Sequence, residues 1–183
     1  MNSSNSKRVD VIQGQTISIK SLARLGFLAS AGLILFLLES IAPRPLPWIK
    51  LGLGNLPVVM ALEMFGGLPA MAVSLVKVCG ASLISGGFAS PTFVIGGVSS
   101  LVSVSAMSIS RWSAPRCFSV VGISVLGAVT HQLSQLVVAF LYLQNEGLFS
   151  FAPLFMLTGL VTGFAIGLIA HFCLARLRLL ARS

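Results

Sequence analysis

Long apolar blocks separated by short polar seams run the length of the chain. They cover Leu22–Ile41, Trp48–Phe65, Pro69–Ser85, Pro91–Ile109, Phe118–Leu143 and Phe151–Leu174. A helix rising about 1.5 Å per residue needs ~20 residues to cross ~30 Å of hydrocarbon, so each block approaches or exceeds one span. The second and third blocks are short and interrupted by Gly and Pro, which predicts that one is broken or partly re-entrant. Six spans fit best, with five and seven as the neighbouring counts. The expected fold is an all-α integral membrane protein with about six transmembrane helices. Residues 1–20 form a polar tail, 21–176 the six-helix domain and 177–183 a basic C-terminus.

Composition supports the membrane class. Of 183 residues, 56% are hydrophobic and 9% charged, whereas a soluble domain carries about 25% charged residues. The net charge of +8 raises the question of nucleic acid, but no basic patch interleaves with aromatics. The cations instead sit at block edges. Lys7, Arg8, Lys20 and Arg24 precede the first span, Arg111 and Arg116 lie between the fourth and fifth, and Arg176, Arg178 and Arg182 follow the sixth. With six spans these all fall on one side, leaving Arg44 and Lys50 opposite and Lys77 within the third span. The positive-inside rule then predicts a multi-pass protein of the cell inner (cytoplasmic) membrane with both termini cytoplasmic. A cleaved leader over residues 7–42 is the competing reading. Its apolar run is too long for a signal peptide, and no A-x-A site ends it.

The second span begins with unusual polarity. Pro45-Leu-Pro-Trp-Ile-Lys-Leu-Gly-Leu-Gly-Asn55 brings a cation, Lys50, and an amide, Asn55, into its start. Polar groups at that depth point to a cavity wall, because lipid would make them expensive. Glu39, at the matching depth of the first span, can pair with Lys50 as a structural clamp or hold it as a ligand contact; the two are compatible. Lys77 lies near the middle of the third span, where a lone charge costs about 2.5–3.5 kcal/mol on insertion scales. Either Glu63 neutralises it in a structural ion pair, or it points into a polar cavity.

The fifth span concentrates amide and imidazole groups in Ser124-Val-Leu-Gly-Ala-Val-Thr-His-Gln-Leu-Ser-Gln135. His131 and Gln135 stand four residues apart and share a face, which Ser124, Gly127 and Ala128 extend. Gln132 lies about 100° away on the helix, within reach of Gln135. Interhelical hydrogen bonding and a ligand or ion site are both open readings, and the small residues on the same face favour a ligand. In the sixth span Gly159-xxx-Gly163-xxx-Gly167 predicts close helix approach. Gly26, Ser30 and Leu33 share a face of the first span with Ala29 and Gly32 beside it, for internal packing or for docking a subunit. The serines of the fourth span, Ser99 to Ser110, can satisfy themselves on preceding carbonyls. His171 reads as interfacial.

Absences narrow the chemistry. Cys79, Cys117 and Cys173 are scattered without Cys/His ligand spacing, so no metal site is expected. No cofactor motif is present and none is expected. Asp10 is the single aspartate; there is no Walker motif for ATP and no Asp-rich motif to hold Mg²⁺ on a diphosphate. No nucleophile–base–orienter set is evident, so catalytic residues are not expected and the chain reads as a non-enzyme.

Glu39-Ser-Ile-Ala-Pro43, Pro47-x-x-Lys50-Leu-Gly-Leu-Gly-Asn55, Gly86, Gly96-Gly97, the Ser124–Gln135 run, and Pro153 with Gly159 and Gly163 resemble proteins called Gx transporters or heptaprenyl diphosphate synthase component I. The resemblance covers about residues 22–174. Departures are Gly54 where Ala is usual, Lys77 where Arg is usual, and Gln132 where Asn follows His. The resemblance implies a fold similar to the substrate-binding S components of energy-coupling-factor (ECF) transporters. These bind a small molecule under the loop joining the first two helices and associate with a membrane T subunit and two ATPases. It makes Pro43–Trp48 a lid, and Lys50, Asn55, His131 and Gln135 candidate substrate contacts; Lys77 and Gln132 join them as candidates from their polarity within the spans. Gly26, Ala29, Ser30 and Gly32 become a docking face. If Lys50, Lys77 and His131 converge, the ligand is expected to carry an anionic group. The partners implied are a small-molecule substrate, the ECF T and ATPase subunits and the lipid bilayer, without nucleic acid. The alternative is a non-catalytic membrane component associated with heptaprenyl diphosphate synthase or prenyl-quinone biosynthesis.

Overall fold

The computed structural model describes residues 10–12, 15–17, 19–41, 52–114 and 117–180. Two three-residue strands, β1 (Asp10–Ile12) and β2 (Gln15–Ile17), pair antiparallel with Asp10 opposite Ile17. The rest is helical: α1 (Ile19–Ile41), α2 (Leu56–Phe65), α3 (Gly67–Ile84), α4 (Pro91–Ser113), α5 (Val120–Leu143) and α6 (Ala152–Leu180). A 3-10 turn over Leu53–Asn55 leads into α2, and another over Glu146–Phe151 leads into α6. The protein is therefore all-α in its membrane part and multi-pass, with five helices long and apolar enough to span a bilayer.

The second of the six helices is the short one. Its ten residues reach about 15 Å, half the hydrocarbon thickness. Gly52, at φ 75°, adopts a left-handed conformation ahead of the 3-10 turn, which is cheap for glycine and strained for other residues. Gly66, at φ 91°, ends α2 and lets the chain reverse into α3. Sequence periodicity shows α2 and its lead-in as one apolar block; the backbone breaks it at these glycines.

Consecutive helices alternate in direction, so Arg24, Arg111, Arg176 and Arg178 gather at one end of the bundle, here called the basic end. The basic half is packed with apolar side chains, among them Leu28, Val59, Leu62, Val73, Val104, Met107 and Ile123. Large apolar side chains also face outward, including Phe27, Ile34, Val161, Phe164 and Phe172. Burial of polar residues is the reverse of a soluble protein's: Glu39, Ser74, Lys77, Ser100, Ser103, Ser124 and Gln132 are all inside. An apolar exterior around a polar interior matches lipid outside and a polar cavity within.

The α5–α6 seam positions one wall of that cavity. Gly159, Gly163 and Gly167 face Val129, Val125 and Val121 in antiparallel order, so close that a Cβ at Gly163 or Gly167 would lie 2.7 Å from the opposing Cα. The glycine repeat brings the two backbones together, as its spacing predicts. Across α5, the Ser103 hydroxyl donates to the Gly127 carbonyl at 2.7 Å, tying α4 to the same helix. The serines are thus divided in role: Ser99 and Ser108 bond carbonyls four residues back, while Ser103 reaches another helix.

Candidate functional site

In the half away from the basic end, α1, the 3-10 turn before α2, α3, α4, α5 and α6 surround a cavity of about 90 Å³. Its polar lining comes chiefly from Glu39, Asn55, Lys77, Ser82, Thr92, Ser100, His131, Gln132, Gln135 and Thr162, with Phe36 and Phe93 as aromatic walls. Five predicted substrate contacts, Asn55, Lys77, His131, Gln132 and Gln135, therefore meet around one space. The sixth, Lys50, and the Pro43–Trp48 segment lie outside the described residues.

Each polar group is held by local geometry. The Gly52 turn aims its N–H at the Glu39 carboxylate, which accepts at 2.7 Å. The following residues place Asn55 so that Lys77 Nζ donates to its Oδ1 at 2.5 Å. Lys77 is 3% exposed and its ammonium lies 5.9 Å from the centre of the Phe36 ring, a separation at which the ring quadrupole attracts a cation. On α5 the Gln135 amide and the His131 Nε2 stand 3.2 Å apart. Gln132 turns toward α6, donating to Thr158 Oγ1 at 3.4 Å.

Glu63 does not pair with Lys77, so of the two readings open from sequence the structural ion pair is set aside and Lys77 lines the cavity. Glu63 Oε2 accepts from Arg111 at 2.7 Å, and Arg111 also donates to the Phe118 carbonyl at 3.2 Å. Glu63 lies near the end of α2 at the basic end, whereas Lys77 sits a helix-half away beside Asn55. Distance along the membrane normal separates them. Glu39 likewise belongs to the cavity wall through Gly52, and its Lys50 pairing falls outside the described residues.

The expected docking face divides in two. Gly26 and Ser30 are exposed, with open space around Gly26. Ala29 and Gly32 are buried, and a Cβ at Gly32 would meet the Gly54 carbonyl and Pro57 at 3.5–3.7 Å. Gly32 faces the turn before α2 and its first residues, and Ala29 packs into the apolar core. His171 is exposed near the basic end.

Chemically the site is a hydrogen-bonding chamber of mixed charge. Among the described residues that line it, one carboxylate (Glu39) balances one ammonium (Lys77). That arrangement suits a ligand with donors and acceptors; the anionic-ligand expectation turns on Lys50, which lies outside the described residues. No group of three or more His, Cys, Asp or Glu among the described residues could hold a metal ion. Sequence reading missed Phe36, Ser82, Thr92, Phe93 and Thr162 as lining residues. The Thr158/Thr162 spacing of four on α6 was the one available signal.

Two larger spaces adjoin the chamber. One of about 280 Å³ reaches toward the α3–α4 connection past Ser82, Ser85, Ser90 and Thr92. The other, about 310 Å³, is lined by Ile95, Leu136, Ala139, Leu148, Phe151 and Phe155, with Gln135 at its boundary.

No curated protein and no solved structure matches this chain. A family model described as Heptaprenyl diphosphate synthase component I matches residues 28–173, which include the described lining of the chamber from Phe36 to Thr162. The chain belongs to the heptaprenyl diphosphate synthase component I family.

Proposed function

We propose that this chain is the membrane-embedded substrate-binding (S) component of an ECF-type small-molecule uptake transporter, with ATP hydrolysis carried by other chains. The observation that carries the reading is the chamber: Asn55, Lys77, His131, Gln132 and Gln135, drawn from three separate helical elements, converge around one space. A purely structural polar network would close on itself; this one surrounds room for a ligand. The chain itself is read as non-catalytic. Its basic end faces the cytoplasm under the positive-inside rule, which puts the chamber in the outer half of the cytoplasmic membrane.

The family description favours a second reading, a non-catalytic membrane component associated with heptaprenyl diphosphate synthase. Purification in mild detergent, followed by mass spectrometry of co-purifying chains and small molecules, separates the two. The transport reading expects a membrane T subunit, ATPase subunits and a bound small molecule. Recovery of a prenyltransferase catalytic subunit without ATPases would replace it with the second reading.

A further inference from the structure

The polar chamber is small, about 90 Å³, whereas pockets for drug-sized ligands run to roughly 300–1,000 Å³. Its neighbour of about 310 Å³ is apolar except at Gln135. Gln135 lines the chamber and both adjoining spaces, and Ile95 lines both of the larger ones. The apolar space lies beside the Leu136–Ala139 turn of α5, under the Leu148–Phe151 turn and the first residues of α6. It shares Gln135 with the hydrogen-bonding chamber at one end and is walled by aliphatic and aromatic side chains at the other.

We infer that the ligand is an amphiphile: a compact hydrogen-bonding head sits among Asn55, Lys77, His131, Gln132 and Gln135, and an apolar tail lies in the Ile95–Phe155 pocket. This inference rests on the substrate-binding reading and names its substrate class. The head satisfies amide and imidazole groups that lipid chains cannot. At about 310 Å³ the apolar pocket has room for an alkyl chain. Gln135 sits where head becomes tail. Its amide donates or accepts toward the head, while its methylenes face the apolar wall.

The test uses the full-length protein in detergent micelles and, as probe, decanamide carrying a photoreactive diazirine near the end of its tail. Cross-links are mapped by peptide mass spectrometry with decanamide and acetamide as competitors. The expected result is saturable labelling at Leu136, Ala139, Leu148 and Phe155, displaced by decanamide and only weakly by acetamide. Ala139→Trp, which fills the pocket, should lower that labelling at least about tenfold, equivalent to about 1.4 kcal/mol. Val161→Trp, the same added bulk on the outward-facing side of α6, should keep the labelling, and matching thermal unfolding of the two Trp variants separates a filled pocket from a misfolded protein. Labelling no stronger there than on lipid-facing Phe27, Ile34 and Val161, and indifferent to decanamide, would make the pocket an ordinary lipid contact and overturn the inference. Protection by acetamide equal to that by decanamide would overturn the tail while leaving a polar substrate site. The substrate-binding reading fails separately, through the identity of the co-purifying subunits.

Discussion

Lys77 of α3 and Asn55 of the turn before α2, 22 residues apart, meet at 2.5 Å on the wall of the chamber. The contact joins an ammonium deep in the bundle to an amide oxygen, placing a cation where substrate would find it.

Removing that cation has two separable effects. Lys77→Met keeps the length of the side chain but leaves the Asn55 oxygen without this donor. An unsatisfied buried acceptor costs about 1–3 kcal/mol, offset by relief from burying a charge. Ligand retention is expected to fall sharply while the unfolding temperature in detergent moves little. Adding Asn55→Leu should recover any lost stability without restoring binding. Recovery of binding in the double variant would show that neither group contacts substrate.

Arg111 is the opposite case. Glu63 is nearly inaccessible, its Oε2 is held by Arg111, and its Oε1 has no hydrogen-bond partner among the described residues. Arg111→Ala would strand a buried carboxylate, a change that typically costs about 3–5 kcal/mol. Chemical unfolding of Arg111→Ala should show a loss of that order, and Arg111→Ala with Glu63→Gln should regain part of it. Ligand affinity, measured where the single variant is still folded, should stay near wild type because this pair lies at the other end of the bundle.

The α5–α6 seam makes a steric prediction. At Gly163 an added Cβ would approach Val125 Cα at 2.7 Å and Ala128 Cβ at 2.9 Å, both rigid parts of the facing helix. Gly163→Ala is expected to destabilise by about 1–3 kcal/mol and to weaken binding, since Ala128 lines the chamber. Gly26→Ala, with nothing within 4 Å, should stay within about 0.5 kcal/mol of wild type. Equal thermal shifts in the two variants would rule out the close seam.

Gly54 offers a parallel test on α1. Its added Cβ would lie 2.9 Å from Phe36 Cβ and 3.3 Å from the Gly32 carbonyl. Gly54→Ala should force α1 and the turn apart, costing about 1–3 kcal/mol. The displaced Phe36 borders the chamber, so substrate affinity should drop as well. An unchanged melting curve would mean that α1 yields freely there.

Much of this was legible along the chain. The blocks Leu22–Ile41 and Pro91–Ile109 became α1 (Ile19–Ile41) and α4 (Pro91–Ser113), because a long apolar run leaves the backbone no partner but itself. Gly159, Gly163 and Gly167 announced a close seam, and the polarity of His131, Gln132 and Gln135 announced an interior. The partner of Glu63 was not legible. Lys77 was 14 positions away along the sequence and Arg111 was 48, yet the ends of α2 and α4 coincide while Lys77 points into the chamber.

Sequence alone therefore determined that the chain is helical, embedded in a membrane and polar at a few interior positions, because apolar run length and charge placement are local properties. Tertiary structure decided which of those polar groups face one another. Glu39 turned to the Gly52 N–H, Glu63 to Arg111, and Lys77 to Asn55. Electrostatic pairing depends on three-dimensional depth and on which helices adjoin, and neither is written in the spacing of residues along one chain.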